Sequence, residues 1–198
     1  MPALPPRIPP SYDVCFYINS RGFLRRLDQG ITLNADSIAW TAADGGTTEM
    51  AFGNIVAINL KSSGSRVIVD QCAITFADNT VLTVVNSNPG GYGDRERAAA
   101  YRDFVAALHA PLAAGPYTGI RFTAGISRDR YVATLALLAV LGLGFSLGGF
   151  AEFRMTGDWR GFGLILLGGY FCWRHGRKAL ANAPRDYTPD RLPDALLS

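Results

Sequence analysis

The stretch "YVATLALLAVLGLGFSLGGF", residues 131–150, runs for 20 positions without a charged side chain. As a helix it would be about 30 Å long, the thickness of a bilayer's hydrocarbon core. Buried helices of soluble proteins seldom reach that length with no charge, so the stretch predicts a transmembrane helix. It also divides the chain of 198 residues. Upstream, polar and apolar residues alternate as in a water-soluble domain. Downstream, the sequence turns basic and proline-rich.

A second apolar run follows at residues 161–173, after the short loop "AEFRMTGDW". Its length alone does not separate a span from a core helix or a re-entrant piece. Trp159 and Trp173 suit the two interfaces, and Arg160 can extend its charge outward. A transmembrane helical hairpin over residues 131–178 is therefore expected. Gly144 and Gly148 stand at the spacing that lets helices approach closely in lipid, and Gly168 and Gly169 on the second run can face them. Either the hairpin's own packing or docking on another membrane protein would use such residues. Neither run carries an ionisable side chain deep inside, which argues against a proton or ion pathway.

Basic residues near the apolar runs set the orientation. Arg121, Arg128 and Arg130 precede the first; Arg174, Arg177 and Lys178 follow the second; the loop between offers Arg154 and Arg160. This bias places both termini in the cytoplasm. Three cysteines at no metal-ligand spacing, Cys15, Cys72 and Cys172, suit a reducing compartment as buried thiols. The opening "MPALPPRIPP" has no apolar core of a signal peptide. Residues 1–10 read as a flexible proline-rich lead-in.

The net charge is +3, yet nine Lys and Arg face ten Asp and Glu before Arg121. That near-neutral balance leaves no basic stripe for nucleic acid. From residue 11 to 87 the pattern is of short strands and turns, with turn signals at Asp44-Gly45-Gly46 and Asp78-Asn79,. These predict an antiparallel sheet curled into a sandwich or small barrel. Then comes "DRERAAAYRDFVAALHAPL", with Asp94 as N-cap and Pro111 as terminator. Tyr101, Phe104, Val105 and Leu108 form one apolar helical stripe facing a core. The result expected is a compact α+β module over residues 11–114, a basic connector over 115–130, the hairpin, and a proline-rich tail over 179–198. Tyr187, Leu192, Leu196 and Leu197 favour a tail that straps onto its own domain or a partner over one that is merely solvated.

"ITLNADSIAW", "FGNIVAINL", "AITFADNTVLTV" and "AAYRDFVAALHAPL" occur in an order that resembles a bacterial membrane-anchored pleckstrin-homology-like (PH-like) domain. The resemblance covers about half the chain and implies a curled antiparallel sheet capped by one C-terminal helix. It implies binding or scaffolding and brings no catalytic set. Several members hold inositol phosphates with basic residues near the first strands; Arg21, Arg25 and Arg26 lie in a comparable region, at a different spacing.

Catalytic and metal residues are absent from this reading. His109 lies at the edge of the helical stripe near a helix C-terminus, where a cation interacts well with the dipole, and His175 belongs to a basic cluster; neither has a zinc-site partner, and structural or surface roles are expected for both. "NPGGYGDRER" invites a phosphate-cradle reading, but Glu96 takes the place of the third glycine and no parallel strand is expected after the helix. The expectation is a non-catalytic accessory or scaffold subunit in the bacterial inner membrane, without cofactor, metal or small-molecule substrate. Its partners would be membrane lipids and a larger membrane protein complex. The alternative is a module binding anionic lipid headgroups through Arg21, Arg25, Arg26, Arg128 and Arg130, and a membrane-surface enzyme ranks third.

Overall fold

Alternating apolar residues build two sheets in the computed structural model, which describes residues 10–19, 30–41, 45–63 and 69–193. The first strand-forming stretch breaks at Asp13 and Val14 and so serves both sheets, as β1 (Ser11–Tyr12) and β2 (Cys15–Ile18). In the first sheet β1 pairs with β3 (Ile31–Leu33), β3 with β4 (Ser37–Thr41) and β4 with β5 (Thr47–Ala51), all antiparallel. A short 3-10 turn, Phe52–Asn54, leads to the second sheet. There β6 (Ile55–Ser63), β7 (Val69–Phe76) and β8 (Val81–Val85) form an antiparallel meander, and β8 pairs with β2. The expected turn at Asp78-Asn79 forms: Asn79 has φ +65°, and the Thr80 N–H donates to the Asp78 carboxylate at 2.9 Å.

Helix α1 (Arg95–Ala114) follows, and Asp94 caps it by accepting from the Glu96 N–H. Its apolar stripe, Tyr101, Phe104, Val105 and Leu108, is fully buried. The core it covers includes Ile31, Ile38 and Trp40 from the first sheet and Phe16, Ile58, Ile74 and Leu82 from the second. Pro111 does not end this helix, contrary to the sequence reading. A proline forfeits one amide bond, but its φ suits a helix, and one more turn buries Leu112.

The expected connector contains a strand. β9 (Arg121–Ala124) lies parallel to β6, pairing Ala57 with Arg121 and Leu60 with Ala124. A parallel strand therefore does follow α1, where none was expected. Its sequence, "RFTA", is too short to announce itself by alternation, and only the open edge of β6 recruits it. The second sheet then runs β10 (Arg185–Asp186), β9, β6, β7, β8, β2.

The remaining helices are α2 (Arg128–Thr156) and α3 (Arg160–Ala181). The chain divides into two compact units. One comprises the chain up to Ala124 and again from Asp186; the other is the stretch between, Gly125 to Arg185. The described tail is a strap on the first unit, because Tyr187 and Leu192 pack against its core. The architecture is α+β, with two sheets and three helices.

Phe104 tests the core directly, since it is fully buried and meets the Tyr12 ring edge-on at 5.7 Å. Phe104→Ala should cost about 3–5 kcal/mol, and Phe104→Asp should abolish the cooperative transition in denaturant titrations of the detergent-solubilised chain followed by near-UV circular dichroism. A cooperative transition at the wild-type midpoint in the Asp variant would show that α1 does not cover the core.

Candidate functional site

The second unit carries the most distinctive chemistry. Helix α2 is long and apolar enough to cross a membrane by length and composition, and only 6% of its apolar window is buried. Leu137, Val140, Leu143, Leu147 and Phe150 are all exposed. The helix stops at Gly157, whose φ of +69° suits glycine,. Asp158 then starts the return: its carboxylate accepts the Arg160 N–H at 3.1 Å and pairs with the Arg160 guanidinium at 3.2 Å.

Helix α3 packs against α2 in the antiparallel sense. A Cβ on Gly149 would strike the Gly161 carbonyl, one on Gly161 the Gly149 carbonyl, and one on Gly168 the Phe145 side chain. The Cys172 thiol, half-buried, donates to the Leu138 carbonyl at 3.4 Å. Gly168 thus lies in close approach to Phe145 of α2. Gly144, Gly148 and Gly169 have open space around their Cβ positions; within the unit the close approach belongs to Gly149 and Gly161 instead. The glycine spacing could be read in the sequence, but which face it served could not.

The expected two-span hairpin requires correction. Among the described residues, α2 alone is long and apolar enough to cross a membrane. The uncharged part of α3, residues 161–173, extends only about 20 Å at helical rise, and its last turns carry Arg174, His175, Arg177 and Lys178. Helix pairing and span length are separate properties, and the sequence reading merged them.

Of the basic residues expected to meet lipid, Arg128 and Arg130 stand exposed on the first turn of α2. Arg21, Arg25 and Arg26 lie outside the described residues. Antiparallel packing adds a second basic set beside the first, because the Ile126 N–H donates to the Asn182 carbonyl at 3.1 Å and so joins the start of α2 to the end of α3.

In the first unit the buried polar feature is His109. Its Nδ1 lies 2.7 Å from the Val105 carbonyl, which can only accept, so Nδ1 carries the proton,. Nε2 is then the acceptor, and the Tyr187 hydroxyl donates to it at 2.8 Å. Phe122 packs on both rings, at 5.7 Å from His109 and 5.6 Å from Tyr187. Burial pushes the His109 pKa down to about 4 and raises that of Tyr187. His109 is thus a neutral structural ring and not a cation on the helix dipole. Nothing in the sequence links residues 78 positions apart.

The glycine-rich loop before α1 closes on itself: the Asn88 N–H donates to the Tyr92 carbonyl, and the Tyr92 N–H to the Asn88 side chain. Cys15 and Cys72 are buried thiols, and the Arg97 guanidinium donates to Cys15 at 2.7 Å. Among the described residues, no three His, Cys, Asp or Glu side chains are grouped to hold a metal ion. No protein-family model matches the chain, and no curated protein matches it.

Two predictions test these assignments. Unfolded, His109 takes up a proton near pH 6.5; folded, it does so near pH 4. Between those values the unfolded state holds more protons, so stability should fall as pH drops from 6.5 towards 4, by up to about 3 kcal/mol. His109→Gln should flatten that part of the pH profile in chemical unfolding. For the helices, Gly149→Leu and Gly161→Leu should break disulfide crosslinking between cysteines placed across α2 and α3. Gly144→Leu with Gly148→Leu should leave it intact.

Proposed function

We propose that the protein is a non-catalytic accessory or scaffold subunit of the bacterial inner membrane. In this reading a cytoplasmic PH-like domain is held at the bilayer by α2 and presents a recognition surface to a larger membrane protein complex. The exposed, uncharged length of α2 carries the membrane part of the reading. In water that surface would cost about 25 cal/mol for each Å² left uncovered, whereas lipid removes the penalty.

The PH-like part is supported by the sheet order. A broken first strand contributes to both sheets, a curled antiparallel meander follows, and α1 closes the core behind it. The cytoplasmic orientation is supported by charge. Arg128, Arg130, Arg174, Arg177 and Lys178 gather where the helical unit begins and ends, as cytoplasmic flanks require. The chain leaves the domain at Ala124 and rejoins it at Asp186, and the Tyr187 N–H bonds to the Phe122 carbonyl. Domain and tail therefore belong to one unit.

Leu137→Arg with Leu143→Arg should prevent integration, since each arginine near mid-helix costs about 2.5–3.5 kcal/mol. The wild type should stay with membranes in alkaline carbonate, and the variant should not. A reporter active only outside the cytoplasm should be silent at the C-terminus. Purification of the full chain in mild detergent should retain a stoichiometric membrane protein. A carbonate-resistant chain that always purifies alone would reject the scaffold role, and a carbonate-soluble wild type would reject the membrane reading itself.

A further inference from the structure

The basic residues of α3 are set deeper along the helix pair than those of α2. Two contacts fix the register: Cys172 on Leu138, and Ile126 on Asn182. Between them, Arg174, Arg177 and Lys178 stand level with residues 131–137 of α2, the first third of its uncharged stretch. Val132, Leu135 and Leu137 at that level are exposed. From Asn182, these basic residues lie about 6–12 Å further along the axis. Arg128 and Arg130 stand at the outer rim.

Charge at this end is one-sided. Arg128, Arg130, Arg174, Arg177 and Lys178 contribute five positive charges against Asp129, a net of +4. Around the α2–α3 turn, Arg154 and Arg160 balance Glu152 and Asp158, and Arg160 is paired with Asp158. Among the described residues, Arg128, Arg130, Arg174 and Arg177 make no ion pair with a carboxylate. Arg177 sits over the exposed Trp173 ring at 5.4 Å, an aromatic–cation pair of the kind that favours the headgroup layer.

We infer that this end of the helix pair is a binding surface for anionic phospholipid, resting on the membrane reading above. The phosphate takes the guanidinium groups of Arg174 and Arg177, and Lys178 and the rim arginines add long-range attraction. The acyl chains lie along Val132 and Leu135. Cations beside an exposed apolar wall fit a molecule that joins an anion to hydrocarbon. A free phosphate would leave the wall uncovered, and a zwitterionic lipid would bring a cation into a field already positive. Guanidinium groups bind phosphate oxygens in pairs of parallel hydrogen bonds. Bound anionic lipid also offsets the cost of cations held at the depth of an apolar segment.

The full chain, reconstituted in phosphatidylcholine vesicles containing a minority of phosphatidylglycerol, provides the test. The fraction of each lipid held at the protein is read by electron spin resonance of spin-labelled phosphatidylglycerol and phosphatidylcholine. The wild type should favour phosphatidylglycerol, and R174Q/R177Q/K178Q should lower that preference by at least about fivefold, the contribution of a single basic residue. R154Q/R160Q should leave it unchanged. Equal retention of the two lipids by the wild type overturns the proposal without recourse to a variant, as does an unchanged preference in the triple variant. A wild type released by alkaline carbonate would instead sink the membrane reading on which the proposal rests.

Discussion

The hydroxyl of Tyr187 donating to His109 is the interaction on which the chain's organisation depends. It brings the chain back to the domain after an excursion of some sixty residues, from Gly125 to Arg185. The Tyr187 N–H bond to the Phe122 carbonyl and the packing of Leu192 on the core hold the same return. In sequence the helical unit is an insertion between Ala124 and Asp186 of the first unit. The bond also dictates chemistry at its own site. A buried ring that donates to Val105 and accepts from Tyr187 has no capacity left for a proton, and burial reinforces its neutrality,.

A second constraint acts within the helical unit. Glycines at Gly149, Gly161 and Gly168 let α2 and α3 approach until backbone meets backbone or an aromatic side chain. That closeness fixes the register, and the register places the cations of α3 alongside the apolar surface of α2. The two helices thus have unequal uncharged lengths while sharing one axis direction.

The core of the domain rests on more ordinary physics. Side chains from two sheets and one helix face meet in a single apolar cluster. The strand Ser11–Ile18, split between the sheets, joins them covalently. Phe122 of β9 in turn packs against His109 of α1 and Tyr187 of the strap.

Local features were legible in the sequence because their causes are local. Alternation marked the strands, the spacing of Tyr101, Phe104, Val105 and Leu108 marked the buried face of α1, Asp94 its cap, and the charge-free run the helix that became α2. What tertiary structure alone decided depends on partners distant in the chain. Pro111 stays helical because Leu112 has a core to enter. "RFTA" becomes a strand because β6 offers an unpaired edge. Gly149 and Gly161, and not Gly144 and Gly148, make the contact because the helix–helix crossing selects one face out of several glycine-bearing ones. His109 is a neutral ring because it is buried and a tyrosine 78 positions away closes over it. Composition can announce a helix or a turn from a few neighbouring residues, but long-range pairing is chosen by which surfaces are left over once the local elements have formed.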